Sequence, residues 1–182
     1  MIPERVEIFG YSISMRGLEQ DVKEAFGWIK DRHRGRYMAC ANPHSLVVAS
    51  QDSEFQEALK EADILIPDGV GIVLAAKAMN TPIRDRVSGT EYFIRMTEMA
   101  QSIGGLKYFF LGSSENVLAR IRSRLQREYP SIDVCGTYSP PYKNTFSAPD
   151  NAWMLSAINN SKPDVLWAVS YTHLTLPTTP YV

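Results

Sequence analysis

Asp68 is the residue whose setting best suits acid–base chemistry. It lies in the run Ile64-Leu65-Ile66-Pro67-Asp68-Gly69-Val70-Gly71. A short apolar strand ends there, two glycines follow, and a helix starts at once. In an open parallel sheet, ligands bind beyond the carboxyl ends of the strands. This order therefore delivers a carboxylate to the sheet edge, where it is able to take a proton from a sugar hydroxyl as a general base. Gly69 and Gly71 let a ligand approach the backbone, and the free N–H groups of a helix N-terminus suit phosphates. The plainer alternative is that Asp68 caps the helix, because Asp and Gly are common in turns and caps.

Two further loops carry suitable residues at the same edge. Asn42, Pro43 and His44 follow an apolar run. Asn42 suits a sugar hydroxyl or a pyrophosphate, and His44 suits acid or base work, although a loop histidine is often structural or merely exposed. Gly112-Ser113-Ser114 forms a tight turn whose serines are able to cap a helix or bond an anion. Arg84 and Arg86 flank Asp85. Either arginine suits a diphosphate, being always charged and bidentate, but a self-compensating surface loop fits the same residues. Arg32, Arg34 and Arg36 read as an exposed loop. Arg120, Arg124 and Arg127 share one helix face, normally a solvated one, with weak attraction to anionic headgroups as the other option. His33, His44 and His173 have no metal-ligand spacing, so no metal site is expected. No Gly-x-Gly-x-x-Gly or Walker pattern follows a strand, which argues against an ordinary dinucleotide enzyme or a P-loop NTPase.

The elements that must position these residues alternate along the chain. Strands are expected at Val6–Phe9, Tyr37–Ala41, Ile64–Ile66, Tyr108–Leu111, Ile132–Gly136 and Val165–Val169. Helices are expected at Leu18–Ile29, Pro43–Val48, from Ser53 to about Ala62, Ile72–Met79, Glu91 to about Ile103, from Ser114 to Tyr129, and from Ser147 to about Asn160. Leu18, Val22, Ala25, Phe26 and Ile29 show the helical period. Ser53 with Gln56, and Ser147 with Asp150, look like capping boxes, and Thr90 looks like an N-cap. Strands separated by helices of this length imply an α/β fold, Rossmann-like, with a mostly parallel sheet and helices on both faces.

The chain has 182 residues and a net charge of −1. Its length suits one domain, and the near-zero charge argues against a general nucleic-acid binder. Cys40 and Cys135 stand far apart in apolar runs, so they read as buried thiols in a reducing compartment rather than a disulfide. No stretch approaches the roughly 20 apolar residues of a membrane span, and Met1–Arg5 lacks the apolar core of a signal peptide. A cytoplasmic protein with at most peripheral membrane contact is expected. Residues 170–182 change character, being rich in Thr and Pro and free of charge.

Several segments together resemble the WecG/TagA/CpsF glycosyltransferases. Ile66-Pro67-Asp68-Gly69-Val70-Gly71-Ile72-Val73 is similar to the family's PDG-x-G segment. Arg86-Val87-Ser88-Gly89-Thr90-Glu91 is similar to its R-V-x-G-x-[DE] segment at the expected spacing. Ala41-Asn42-Pro43-His44 falls at its Asn-containing loop, and Tyr108-Phe109-Phe110-Leu111-Gly112 at its [YF]-x-L-G turn. Tyr129-Pro130 and Gly136-Thr137-Tyr138 resemble the run that follows.

The resemblance covers about residues 5 to 169 and implies a catalytic domain over 1–169, with 170–182 as a tail outside the family pattern. It implies an inverting, metal-independent transferase without cofactor. Such an enzyme moves an N-acetylmannosamine-type sugar from a UDP donor to undecaprenyl-diphosphate-linked N-acetylglucosamine, for cell-surface polysaccharide, at the inner face of the cytoplasmic membrane. Asp68 matches the proposed general base. Asn42 and Arg86 match residues near the reacting sugar and phosphates, and Gly112 and Ser113 the nucleotide-side loop. With no metal, backbone N–H groups and arginine must stabilise the diphosphate. Family members often self-associate, so the resemblance also admits a homo-oligomer. Cys40 departs from the family's frequent Thr. Family members continue past the Val165 strand with a G-x-P-x-Q-E segment and a basic appendage, so the chain is expected to be a truncated form with impaired activity. A non-catalytic nucleotide-binding module and another UDP-sugar enzyme, such as an epimerase, are the alternatives.

Overall fold

The computed structural model describes residues 4–81, 83, 85–143 and 145–168. Val169, the expected end of the last strand, and the tail at 170–182 lie outside the described residues. The fold is α/β, with parallel strands in open sheets. It divides into two compact units, with the boundary between Met96 and Thr97.

The first unit opens with a hairpin. Strand β1 (Arg5–Ile8) pairs antiparallel with β2 (Tyr11–Ser14), with Ile8 opposite Tyr11. The turn residues Phe9 and Gly10 have φ of 52° and 80°. Two positive φ values match the twist of the flanking strands. The sequence gives only one strand here. Gly10 signals the turn, but Phe9 is an unusual residue for its first position, and four residues show too little alternation to mark β2.

Helix α1 (Leu18–Lys30) follows, burying Asp21, Val22 and Ala25. Then come β3 (Met38–Ala41), α2 (Pro43–Ala49), α3 (Ser53–Lys60), β4 (Ile64–Pro67), α4 (Val70–Ala78) and α5 (Gly89–Ser102), which runs past the boundary at Met96. β3 and β4 are parallel, with Ala41 opposite Pro67. Ile64, Leu65 and Ile66 are fully buried, as expected of a strand covered on both faces.

Three helix starts differ from expectation. Asp52, not Ser53, caps α3, its carboxylate accepting the Phe55 N–H at 3.0 Å. Helix α4 starts at Val70, two residues early, because Gly69 at φ 91° makes the turn. Helix α5 starts at Gly89, ahead of Thr90. There the Glu91 carboxylate accepts the Ser88 N–H and O–H, and the Ser88 hydroxyl accepts the Glu91 N–H. That reciprocal Ser-x-x-Glu pair is a capping box.

The second unit is built on β5 (Lys107–Leu111), with β6 (Asp133–Tyr138) on one side and β7 (Val165–Ala168) on the other, both parallel to it. Helix α6 (Glu115–Glu128) joins β5 to β6, and α7 (Ala148–Ser161) joins β6 to β7. Right-handed crossovers in this order set α6 and α7 on opposite faces. Phe109, Leu111, Met154 and Ile158 form a core cluster. The α7 capping box of Ser147 and Asp150 is as read from sequence. Cys40 and Cys135 are not joined in a disulfide and are partly buried, less enclosed than expected.

Candidate functional site

Three segments of the first unit meet at the carboxyl ends of β3 and β4. The Asp68 N–H donates to the Ala41 carbonyl at 2.8 Å, just past the last paired residues of the two strands. The Val87 N–H donates to the Pro67 carbonyl at 3.0 Å, which pins the Arg86–Glu91 segment beside the Asp68 turn. Helix α4 then packs close to α2. A methyl group added at Gly71 would lie 2.5 Å from Pro43 Cγ, and one at Gly69 would meet Pro43 and Asn42 at 3.7 and 3.8 Å. A methyl group at Gly89 would come within 3.1 Å of Cys40 Sγ. The glycines thus allow the approach of protein to protein, as well as any approach of ligand.

Within this cluster Asp68 is partly exposed at the edge, neither sealed in the core nor fully in solvent. Asn42 has a structural task. Its side chain accepts the Ser45 N–H at 2.8 Å, and the Ser45 hydroxyl accepts the Asn42 N–H at 2.9 Å, a capping box for α2. His44 is exposed on the first turn of α2. The Arg86 guanidinium lies 3.5 Å from the Glu91 carboxylate, and both side chains are about half exposed. The Ser88 hydroxyl and amide hold Glu91 below the usual carboxylate range, with Arg86 adding to the effect. Arg84 lies outside the described residues.

Gly112 and Ser113 belong to the second unit. They follow β5, with φ of 104° and 60°. The Gly112 N–H donates to the Tyr138 carbonyl, and the Ser139 hydroxyl donates to the Ser113 carbonyl at 2.6 Å. Ser114, rather than Ser113, caps α6 by accepting the Val117 N–H. The strand order β6-β5-β7 reverses direction at β5. The loop after β5 is therefore a topological switch point, the place where open α/β sheets bind ligands.

An open groove of about 550 Å³ lies at the other end of the first unit's strands, lined by Trp28, Lys23, Arg5, Arg36 and Asp63 among others. Arg36 and Asp63 immediately precede β3 and β4, so it belongs to their amino ends. Arg5 and Arg36 are both engaged there by Asp63. Among the described residues no group of His, Cys, Asp or Glu is arranged to hold a metal ion.

A model of the glycosyl transferase WecG/TagA/CpsF family matches residues 6–170. The chain belongs to that family. It is 28% identical over 137 residues to an N-acetylglucosaminyldiphosphoundecaprenol N-acetyl-beta-D-mannosaminyltransferase of Bacillus spizizenii, which covers 75% of this chain and 51% of that protein. A protein of the same name from Bacillus subtilis is 25% identical, over 79% of this chain and 54% of its own length. One from Staphylococcus aureus is 24% identical, over 70% and 50%. The chain spans about half the length of the curated relatives it matches.

The family segments at Asn42, Asp68 and Arg86 are the three that the backbone bonds and glycine contacts bring together. Sequence reasoning assigned Pro43 only the opening of a helix, and assigned no task to Glu91 or Ser45. Glu91 was visible as the last residue of a quoted segment. Ser45 was visible as the third residue after a capping Asn. The contact of Pro43 with Gly71 has no signal in the sequence.

Proposed function

We propose that this chain forms part of an inverting transferase that moves an N-acetylmannosamine-type sugar from a UDP donor to an undecaprenyl-diphosphate-linked N-acetylglucosamine. One observation carries the reading. A solvent-accessible carboxylate, Asp68, stands where three family segments are tied together at the carboxyl end of a parallel strand pair. The activity named for the relatives supplies the sugar and the acceptor.

In this mechanism Asp68 takes the proton from the acceptor hydroxyl as its oxygen bonds to the anomeric carbon. The bond from that carbon to the UDP oxygen breaks on the opposite face, which inverts the centre. UDP leaves with its negative charge. Arg86 is the side chain of the cluster suited to that charge, once it exchanges Glu91 for phosphate oxygens. In the second unit, Gly112 and Ser113 form the loop that the family resemblance gives to a nucleotide, at that unit's own switch point. Asn42 holds α2 and the strand end in place, and His44 lies at the rim. No step calls on a metal. The acceptor places the reaction at the inner face of the cytoplasmic membrane, with peripheral contact. Among the described residues, no helix is long and apolar enough to cross it.

The test uses UDP-N-acetylmannosamine and a soluble lipid-diphosphate N-acetylglucosamine analogue. Asp68→Asn is expected to keep UDP binding and to lose about 100-fold or more in transfer rate, the usual scale of general-base catalysis. Unchanged transfer in that variant would overturn the base assignment. Nucleotide binding without transfer in the unsubstituted chain would mark a binding module. Turnover of the donor without acceptor would mark an epimerase-type enzyme.

A further inference from the structure

Two helices that begin at the Asp68 cluster turn aliphatic side chains to solvent. On α2, Val47 is 59% exposed, with Val48 beside it, and on α4 Val70 and Leu74 are 67% and 58% exposed. Isolated surface aliphatics are ordinary. These are not isolated along their helices. Val70 and Leu74 stand one turn apart and so share a face. The two helices also touch at their starts, through Gly71 and Pro43. Neither helix contains an acidic residue, and their exposed ionisable side chains are His44 and Lys77. A surface helix of a water-soluble protein normally carries a polar outer face, as α6 does with its arginines and glutamates.

We propose that this α2–α4 face rests on the surface of a lipid bilayer, with Val47, Val70 and Leu74 entering the boundary between headgroups and acyl chains. The proposal rests on the reading that the acceptor is a lipid-linked diphosphate. Such a diphosphate lies in the headgroup layer. α2 starts at Pro43 and α4 at Val70, so seating both helices about 5–10 Å deep, the usual depth of an interfacial helix, holds Asp68 level with the acceptor. The absence of carboxylates suits an anionic leaflet, and Lys77 adds an attraction to it. The chemistry recognised is therefore hydrocarbon under an anionic surface, supplied by the bilayer itself.

The experiment is co-sedimentation of the chain with vesicles of phosphatidylethanolamine and a minority of phosphatidylglycerol. Val47→Glu and Leu74→Glu are compared with Ile103→Glu, an exposed aliphatic of the second unit. The chain is expected to pellet with vesicles. Each face variant should lower its partition coefficient about tenfold or more, the scale of losing one buried aliphatic side chain, and Ile103→Glu should leave it unchanged. Circular dichroism checks that the variants fold. The face variants should also keep transfer to a short-chain soluble acceptor while losing transfer to an acceptor embedded in the vesicles. Equal pelleting of Leu74→Glu and the unsubstituted chain overturns the proposal. So does a dimer in sedimentation velocity that Leu74→Glu dissolves, without vesicle binding, since a second copy then covers the face. Vesicle binding that depends on the face, without transfer to either acceptor, upholds the docking surface and rejects the transferase reading alone.

Discussion

Asp21 is fully buried, accepting hydrogen bonds from the Ser14 hydroxyl at 2.8 Å and from Arg16 Nε at 3.0 Å. Burial pushes its carboxyl above the ordinary 3.8, against the opposing pull of Ser14 and Arg16. A folded-state value above the unfolded one means that the group stabilises most below the unfolded value. That contribution is lost as pH rises through the folded value. Asp21→Asn should therefore gain stability relative to the unsubstituted chain as urea melts are moved from acid to neutral pH. A difference independent of pH would contradict the assignment. Arg86 makes a second test at this scale. Arg86→Lys keeps the charge but loses the planar fork, and should weaken UDP binding about tenfold if the guanidinium grips the diphosphate. Isothermal titration reads this directly. The placement of Asp68 at a strand end and of Arg86 in the loop before α5 was legible in the sequence, because the apolar run and the glycines around them mark those boundaries. The sequence proposed Asn42 for a ligand, and the structure commits its side chain to the Ser45 N–H, a local bond that a ligand would have to share or leave intact.

Among the elements, α2 depends most on one residue. It has seven residues and gains both ends of a capping box from Asn42 and Ser45. Asn42→Ala should cost about 1 kcal/mol in stability, the usual value of a cap. Thermal melts check it, and this structural loss must be separated from any loss of transfer in the same variant. At α4, Gly71→Ala places a methyl group 2.5 Å from a stiff proline ring. Overpacking of this kind should cost about 1–3 kcal/mol, read by the same melts. The alternation of strands and helices was legible because each amphipathic run is long enough to show its period. The hairpin was not, since its turn begins with Phe9, an unusual residue at positive φ. The caps of α3 and α5 were displaced by one or two positions because Asp52, Ser53, Ser88 and Thr90 are all competent caps. Only the helix start chosen by packing decides among them.

At the scale of the whole molecule, the sequence resembles one family over nearly its full length, and the match over residues 6–170 agrees with that. What it does not encode locally is the meeting of segments far apart. Asn42, Asp68 and Arg86 come together through two backbone bonds whose partners are 27 and 20 residues apart. No residue-type pattern announces such bonds. Gly112 and Ser113 are set instead by the strand order of the second unit, which reverses at β5. If arginine and backbone N–H groups carry the diphosphate charge, transfer should persist when EDTA strips divalent ions. A rate that collapses with EDTA and returns with magnesium would defeat that account. Finally, the bond from Val87 to Pro67 closes the intervening chain into a ring anchored at both ends. Lengthening a ring of this kind adds little entropic cost. Homologous chains of different length are thus expected to be able to place extra residues within this ring while the anchored arginine keeps its place.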